Sequence, residues 1–201
     1  MLNNRNESQN NALFIAILAI IIFAFSSIWM TWLDIGASAY GSKNSETMDF
    51  TEIMNTDEEY TRYHDKMENY NLDTSKYISK SEYDAILNSY HVLKYAAVIG
   101  YVLLGMAGVC VFVSRKAMTV AALLATLSFG ASMIGGMVYC SKTEKFMQDL
   151  TRKMLEGMIS IKYEFKTGIG VIIPLAAACA VTVIGFLIGR NEKSQSYDMY
   201  Y

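Results

Sequence analysis

The chain has 201 residues, 53% of them hydrophobic, with one proline and a net charge of −2. A balance so near neutral offers no basic surface to a nucleic acid, and none is expected as a partner. The apolar residues are gathered into four blocks with the charge between them. That distribution excludes a soluble helical bundle, whose helices need polar faces.

A membrane-crossing helix needs roughly 20 mostly apolar residues, since about 30 Å of hydrocarbon is crossed at about 1.5 Å per residue. Ala12 to Leu33, His91 to Val113, Ala117 to Cys140 and 167–189 meet that length. Lys94, at the outer edge of the second block, is the only Asp, Glu, Lys or Arg inside any of them. A charge at the bilayer centre costs at least about 2.5–3.5 kcal/mol, so this exclusion is the strongest signal in the sequence.

Residues 1–11 are polar and Asn-rich and read as a disordered tail. The first span, 12–33, ends in Trp29-Met30-Thr31-Trp32, and tryptophans collect at the headgroup level. Ala37-Ser38-Ala39 has the small-x-small form of a signal-peptide cleavage site. The apolar stretch before it is too long for a signal peptide, and the site lies far beyond it, so the block is read as a retained span.

Residues 34–90 form a long outer loop with twelve acidic and five basic side chains. Thr56-Asp57-Glu58-Glu59 has the form of a capping box. Beyond it Tyr60, Tyr63, Met67 and Tyr70 fall on one helical face. Ser79-Lys80-Ser81-Glu82 is a second capping box, from which one long helix is expected to run through the second span, 91–113. A basic inner turn at 114–117 joins it to the third span, 117–140. In the second outer loop, 141–166, Phe146, Leu150, Met154 and Met158 continue a helical stripe, with Gly157 as the stop. Ile159 to Lys166 then alternates apolar and polar, the period of a half-buried strand. A lone strand is unstable, and the expected partner is Leu33 to Tyr40, giving a two-stranded sheet. The fourth span opens with Gly168-Ile169-Gly170 and contains Pro174, where a kink is expected. Residues 190–201 read as a solvated tail.

The fold class expected is therefore an all-α integral membrane protein: a four-helix transmembrane bundle with a small extramembrane region of short helices and a two-stranded sheet. It is expected in a cell membrane, multi-pass. The Lys and Arg count favours the long loops inside, whereas the density of Arg115-Lys116 at the membrane edge favours both termini cytoplasmic, and the second orientation is adopted.

Small residues mark the faces on which membrane helices meet. Gly100, Gly105 and Gly108 of the second span, Ser128, Ser132 and Gly136 of the third, and Thr182 and Gly185 of the fourth are assigned to helix packing. No catalytic set, cofactor motif or metal site is legible. His64 with Glu68 falls short of the three ligands a metal site wants. The tyrosines of the outer loop, Tyr60, Tyr63 and Tyr70 above all, suit either a partner contact or the loop's own small core. The function expected is a non-enzymatic scaffold or accessory subunit that presents the acidic, Tyr-rich loop. Its partners are the lipid bilayer and either a protein or a second copy. The alternative is an oligomeric channel or transporter component, with Ser128 and Ser132 lining a polar axis.

The layout resembles the claudin-like four-span plan. The resemblance lies in a first span ending Trp32-Leu33, a long first outer segment, a short basic inner turn, a second outer segment ending in a strand, and a last span opening Gly168-Ile169-Gly170. It is similar also to small bacterial four-span proteins. Claudins pair two cysteines in the first outer segment. Here Cys110, Cys140 and Cys179 all lie in or at the end of apolar blocks, and no claudin functional residue carries over.

Overall fold

The computed structural model describes residues 2–40, 42–56, 80–154 and 161–198, with side chains over 12–40, 42–56, 81–153 and 161–188. In chain order these form α1 (Leu2–Ser26), a 3-10 turn (Ser27–Trp29), β1 (Leu33–Ala39) and β2 (Ser42–Met48). There follow α2, helical over 50–56, then α3 (Lys80–Cys110), α4 (Arg115–Met154), β3 (Lys162–Thr167) and α5 (Ile169–Asp198). Helices α1, α3, α4 and α5 each hold a stretch long and apolar enough to cross a membrane: Ala12–Trp29, Ser81–Cys110, Arg115–Lys153 and Ile169–Ile188.

The helices run past the apolar blocks. α1 begins at Leu2 and α5 continues to Asp198, so polar ends expected as unstructured tails are helical. Once an apolar run has nucleated a helix, each added residue gains a hydrogen bond at little further cost. α5 also runs on past Pro174, whose ring is buried. The turn between α3 and α4 is displaced from its expected place. Ser114 caps α4, accepting from Met118 N–H with its carbonyl at 3.0 Å and from Ala117 N–H with its hydroxyl at 3.4 Å. Arg115 and Lys116 therefore belong to the first turn of α4, and the chain reverses over the apolar residues 111–113.

The chain divides into two compact units. One comprises Met1–Ser27, Ala97–Gly130 and Ile172–Tyr201, and its described residues are helical apart from the turn at 111–114. Its core includes Ile17, Ile21, Ala24, Leu104, Phe129 and Val181. The other comprises Ile28–Ala96 and Ala131–Val171 and contains the sheet, α2 and the adjoining helix segments.

The sheet has three strands in the order β2-β1-β3, both pairings antiparallel. The pairing of β1 with β3 is the one expected from the alternation, with Leu33 opposite Thr167, Ile35 opposite Phe165 and Ala37 opposite Tyr163. The third strand corrects the two-stranded expectation. Ser42–Met48 folds back on β1 from a two-residue connection, where Tyr40 takes a φ of 52°. Left-handed backbone in a two-residue loop matches the twist of a hairpin. β2 reads Ser-Lys-Asn-Ser-Glu-Thr-Met and is exposed for nearly its whole length, so it carries none of the alternation that marks β3.

Where α1 gives way to β1, the chain is tied to the start of α5. Gly168 N–H donates to Trp32 O and Gly170 N–H to Thr31 O, both at 2.8 Å, while Trp32 N–H donates to Met48 O at 2.8 Å. A Cβ at Gly168 would overlap the Thr31 carbonyl, and one at Gly170 would overlap the Trp32 ring. Trp32 is fully buried, its ring 4.7 Å from that of Phe50, whereas Trp29 is 72% exposed. Of the two tryptophans read together as interface residues, only Trp29 has the exposure that reading needs.

Gly168→Ala is expected to destabilise the folded protein by about 1–3 kcal/mol, as overpacking does. Gly36→Ala is the control, because its added Cβ would meet the nearest atom, Glu164 O, at an ordinary 3.5 Å. Thermal unfolding in detergent should separate the two variants, with only Gly168→Ala lowering the midpoint.

Candidate functional site

The packing residues come first. Gly100 faces the buried ring of Phe129, 2.9 Å from where a Cβ would sit, so α3 and α4 meet there closely. A Cβ added at Gly108 would lie 3.5 Å from Ile21 and one at Gly105 3.7 Å from Phe25, ordinary contacts with α1. Gly185 faces Thr119, whose hydroxyl occupies the place of a Cβ. Thr182 is buried 3.3 Å from Thr126, and each hydroxyl donates to the carbonyl one turn back on its own helix, Ala178 at 2.8 Å and Ala122 at 2.9 Å. In the second unit the fully buried Ser132 donates to Leu93 O at 2.7 Å, and Gly136 lies against Thr167 and Leu93. Ser128 is half-buried on α4.

Two features of this packing were missed in the sequence. A Cβ at Gly135 would meet the Leu93 backbone at 2.8 Å, closer than the 3.3 Å at which one at Gly136 would meet its side chain, and the Gly135-Gly136 pair itself was the available signal. Tyr101 is buried edge-on to Phe129 at 5.1 Å and lies 2.7 Å from the Ser27 hydroxyl. Ser27 already donates to Ala24 O at 2.6 Å, so Tyr101 is the donor to Ser27.

In the second unit α2 is held at both ends. Asp49 is its N-cap, its carboxylate accepting from Glu52 N–H at 2.9 Å and from the Thr51 hydroxyl. Glu52 accepts in return from Asp49 N–H at 2.9 Å. This capping box, Asp49-Phe50-Thr51-Glu52, was legible in the sequence but overlooked beside Thr56-Asp57-Glu58-Glu59. The bonds from Thr51 and then from Glu52 N–H hold the Asp49 carboxyl below the usual carboxylate range. At the other end Tyr90 donates to Ile53 O at 2.6 Å and Lys94 to Met54 O at 2.9 Å. Both donors lie one turn apart on α3. Lys94 is only 4% exposed, so the one charged side chain of the second apolar block is a fastener for α2.

On one face of the sheet Lys43 reaches across β1 to Glu164 at 3.3 Å, over the place where Gly36 has no side chain, and Lys166 pairs with Glu164 from its own strand. The bond from Lys166, then that from Lys43, holds the Glu164 carboxyl below its ordinary value, and Lys166 is raised in turn.

Cavities in this unit flank the same helices. One of about 210 Å³ lies among Tyr83, Tyr90, Tyr139, Phe146, Leu87 and Thr56. An open groove of about 610 Å³ lies between α4 and β3, with Met137 and Phe165 beside Glu144, Lys145 and Lys166. A third, about 200 Å³, includes Lys142, Lys145, Asp149 and Lys153 in its lining. Tyr60, Tyr63 and Tyr70, assigned to partner contact, lie outside the described residues, as do His64, Glu68 and the capping box that follows Thr56. No protein-family model matches the chain, and no curated protein matches it.

Lys94→Met should destabilise the protein by about 1.5–3 kcal/mol, the worth of a hydrogen bond from a charged donor, with amide exchange rising first over 50–56. Asp49→Ala should cost about 1 kcal/mol as a lost cap. Because the folded Asp49 carboxyl is depressed, its contribution is fully present above the ordinary carboxylate pKa and is lost as pH falls through the folded value. The wild type should therefore lose its margin over Asp49→Ala on acidification, which paired pH-dependent melts would read. In the helical unit Gly130 has open space where a Cβ would lie, so Gly130→Ala should stabilise by about 0.5–1 kcal/mol while Gly100→Val lowers the melting midpoint.

Proposed function

We propose that the protein is a four-span integral membrane protein with both termini cytoplasmic. In this reading it acts without catalysis, as a scaffold or accessory subunit that offers its acidic, Tyr-rich segment 57–79 to a protein partner. Membrane insertion is supported by the outward faces of the helices. Large apolar side chains such as Ile22, Val109, Leu127, Ile134 and Phe186 are more than half exposed, and a water-soluble monomer rarely shows apolar surface on that scale.

The observation that carries the presenting role is the fastening of α2. Tyr90 and Lys94 hold the carbonyls of Ile53 and Met54, just before the segment leaves, and the segment returns directly into the first turn of α3. Both ends of a 23-residue stretch rich in tyrosine and carboxylate are thus anchored on one helix. A held base lowers the entropy that a partner must remove on binding.

The alternative, an oligomeric channel or transporter component, draws less support. Of the hydroxyls read as a polar path, Thr126, Ser132 and Thr182 already bond to helix carbonyls, and Ser128 is half-buried on α4. The claudin-like plan remains a likeness of layout.

Replacing 57–79 with a short Gly-Ser linker is expected to leave the detergent-solubilised protein folded and to abolish co-purification of the partner found with the wild type under gentle extraction. A homo-oligomer carrying ion flux in liposomes would overturn the scaffold reading in favour of the channel. For orientation, a single cysteine at Lys116 should be protected from an impermeant maleimide in intact cells and one at Ser45 labelled. The reverse pattern would overturn the assigned orientation.

A further inference from the structure

The cavity of about 210 Å³ between α3 and α4 is walled by Tyr83, Tyr90, Tyr139 and Phe146, with Leu87 and Met147 completing the apolar lining. Its described lining includes Thr56, Ile86 and Thr143 and no Asp, Glu, Lys or Arg. Two of the walls are fixed against each other. The Tyr90 and Tyr139 rings stand 5.2 Å apart at 53°, and the bond from Tyr90 to Ile53 O holds the first of them in place. The lysines of the same stretch, Lys142, Lys145 and Lys153, line a separate cleft that shares only Ile86 and Phe146 with this one.

We infer that this cavity binds a small quaternary ammonium cation, a soluble compound of choline size. The chemistry follows from the walls. Aromatic faces carry negative quadrupole potential, and a trimethylammonium group joins a diffuse positive charge to an apolar surface that a box of rings covers without needing a carboxylate. A hard metal ion would want carboxylate or several carbonyl oxygens, whereas the described lining offers threonine and tyrosine hydroxyls and no carboxylate. The size agrees. At about 210 Å³ the cavity has room for several waters, and so for a small organic cation. The sign of the charge agrees as well. Glu82 and Asp84 flank Tyr83 along α3. A cluster of carboxylates raises the local concentration of cations.

The inference does not depend on the scaffold role, and its test separates charge from shape. Full-length protein in a maltoside detergent is titrated with choline and, in parallel, with 3,3-dimethyl-1-butanol, in which carbon replaces the charged nitrogen. Binding is followed by intrinsic fluorescence and calorimetry. Choline is expected to bind saturably and at least about tenfold more tightly than the neutral isostere, the margin a desolvated cation–aromatic contact gives. Tyr139→Leu should weaken choline about tenfold, while Tyr139→Phe, which keeps the ring, should retain it. Equal affinity for the two compounds would overturn the inference and leave a merely apolar cavity, as would the absence of saturable choline binding. The two-compound comparison on the wild type decides the matter even where Tyr139→Leu fails to fold.

Discussion

The second unit depends on one close approach of backbone to backbone. Thr31 and Trp32, leaving α1, bond through their carbonyls to the amides of Gly170 and Gly168 at the start of α5. No residue with a Cβ fits at either glycine, because Thr31 O and the Trp32 ring occupy that space. The indole is fully buried and packs against Phe50, so the junction also draws in α2. With Leu33 set opposite Thr167, the remaining register of β1 on β3 follows, since a slip of one residue would turn every side chain to the wrong face. β2 then closes on the free edge of β1, and Met48 O takes the Trp32 amide.

A second constraint runs through both units: polar groups among apolar helices need partners. Ser27, Thr126, Ser132 and Thr182 all meet it by donating to helix carbonyls. Such bonds add little to stability, but a hydroxyl left unpaired in an apolar medium would cost several kcal/mol. Lys94 is the strongest instance. An ammonium at 4% exposure is tolerable because it bonds to the Met54 carbonyl and has the Tyr95 ring 5.9 Å away. The same bond that satisfies the charge fixes α2, so a residue that reads as an intrusion into an apolar block fastens a neighbouring helix.

Much of this was legible along the chain. The segregation of apolar residues gave four helices, because crossing length and exclusion of charge are local properties. The alternation read over Ile159 to Lys166 gave β3, found at Lys162–Thr167, because a strand half-buried against one layer repeats every two residues. Its partner was inferred from need, and β1 lies where that need placed it. β2 was not legible: an exposed edge strand buries nothing and so leaves no periodic trace. The capping box at Asp49 was present but less conspicuous than the acidic run after Thr56.

By itself, then, the sequence determined that there are four long apolar helices and the strand β3. Each of these follows from neighbours close in the chain. Only the tertiary structure decided that Trp32 is buried while Trp29 is exposed, that Lys94 holds α2, and that Tyr83, Tyr90 and Tyr139 line one cavity. Those outcomes join residues tens of positions apart, and their energies come from burial and from hydrogen bonds that exist only once the segments are packed.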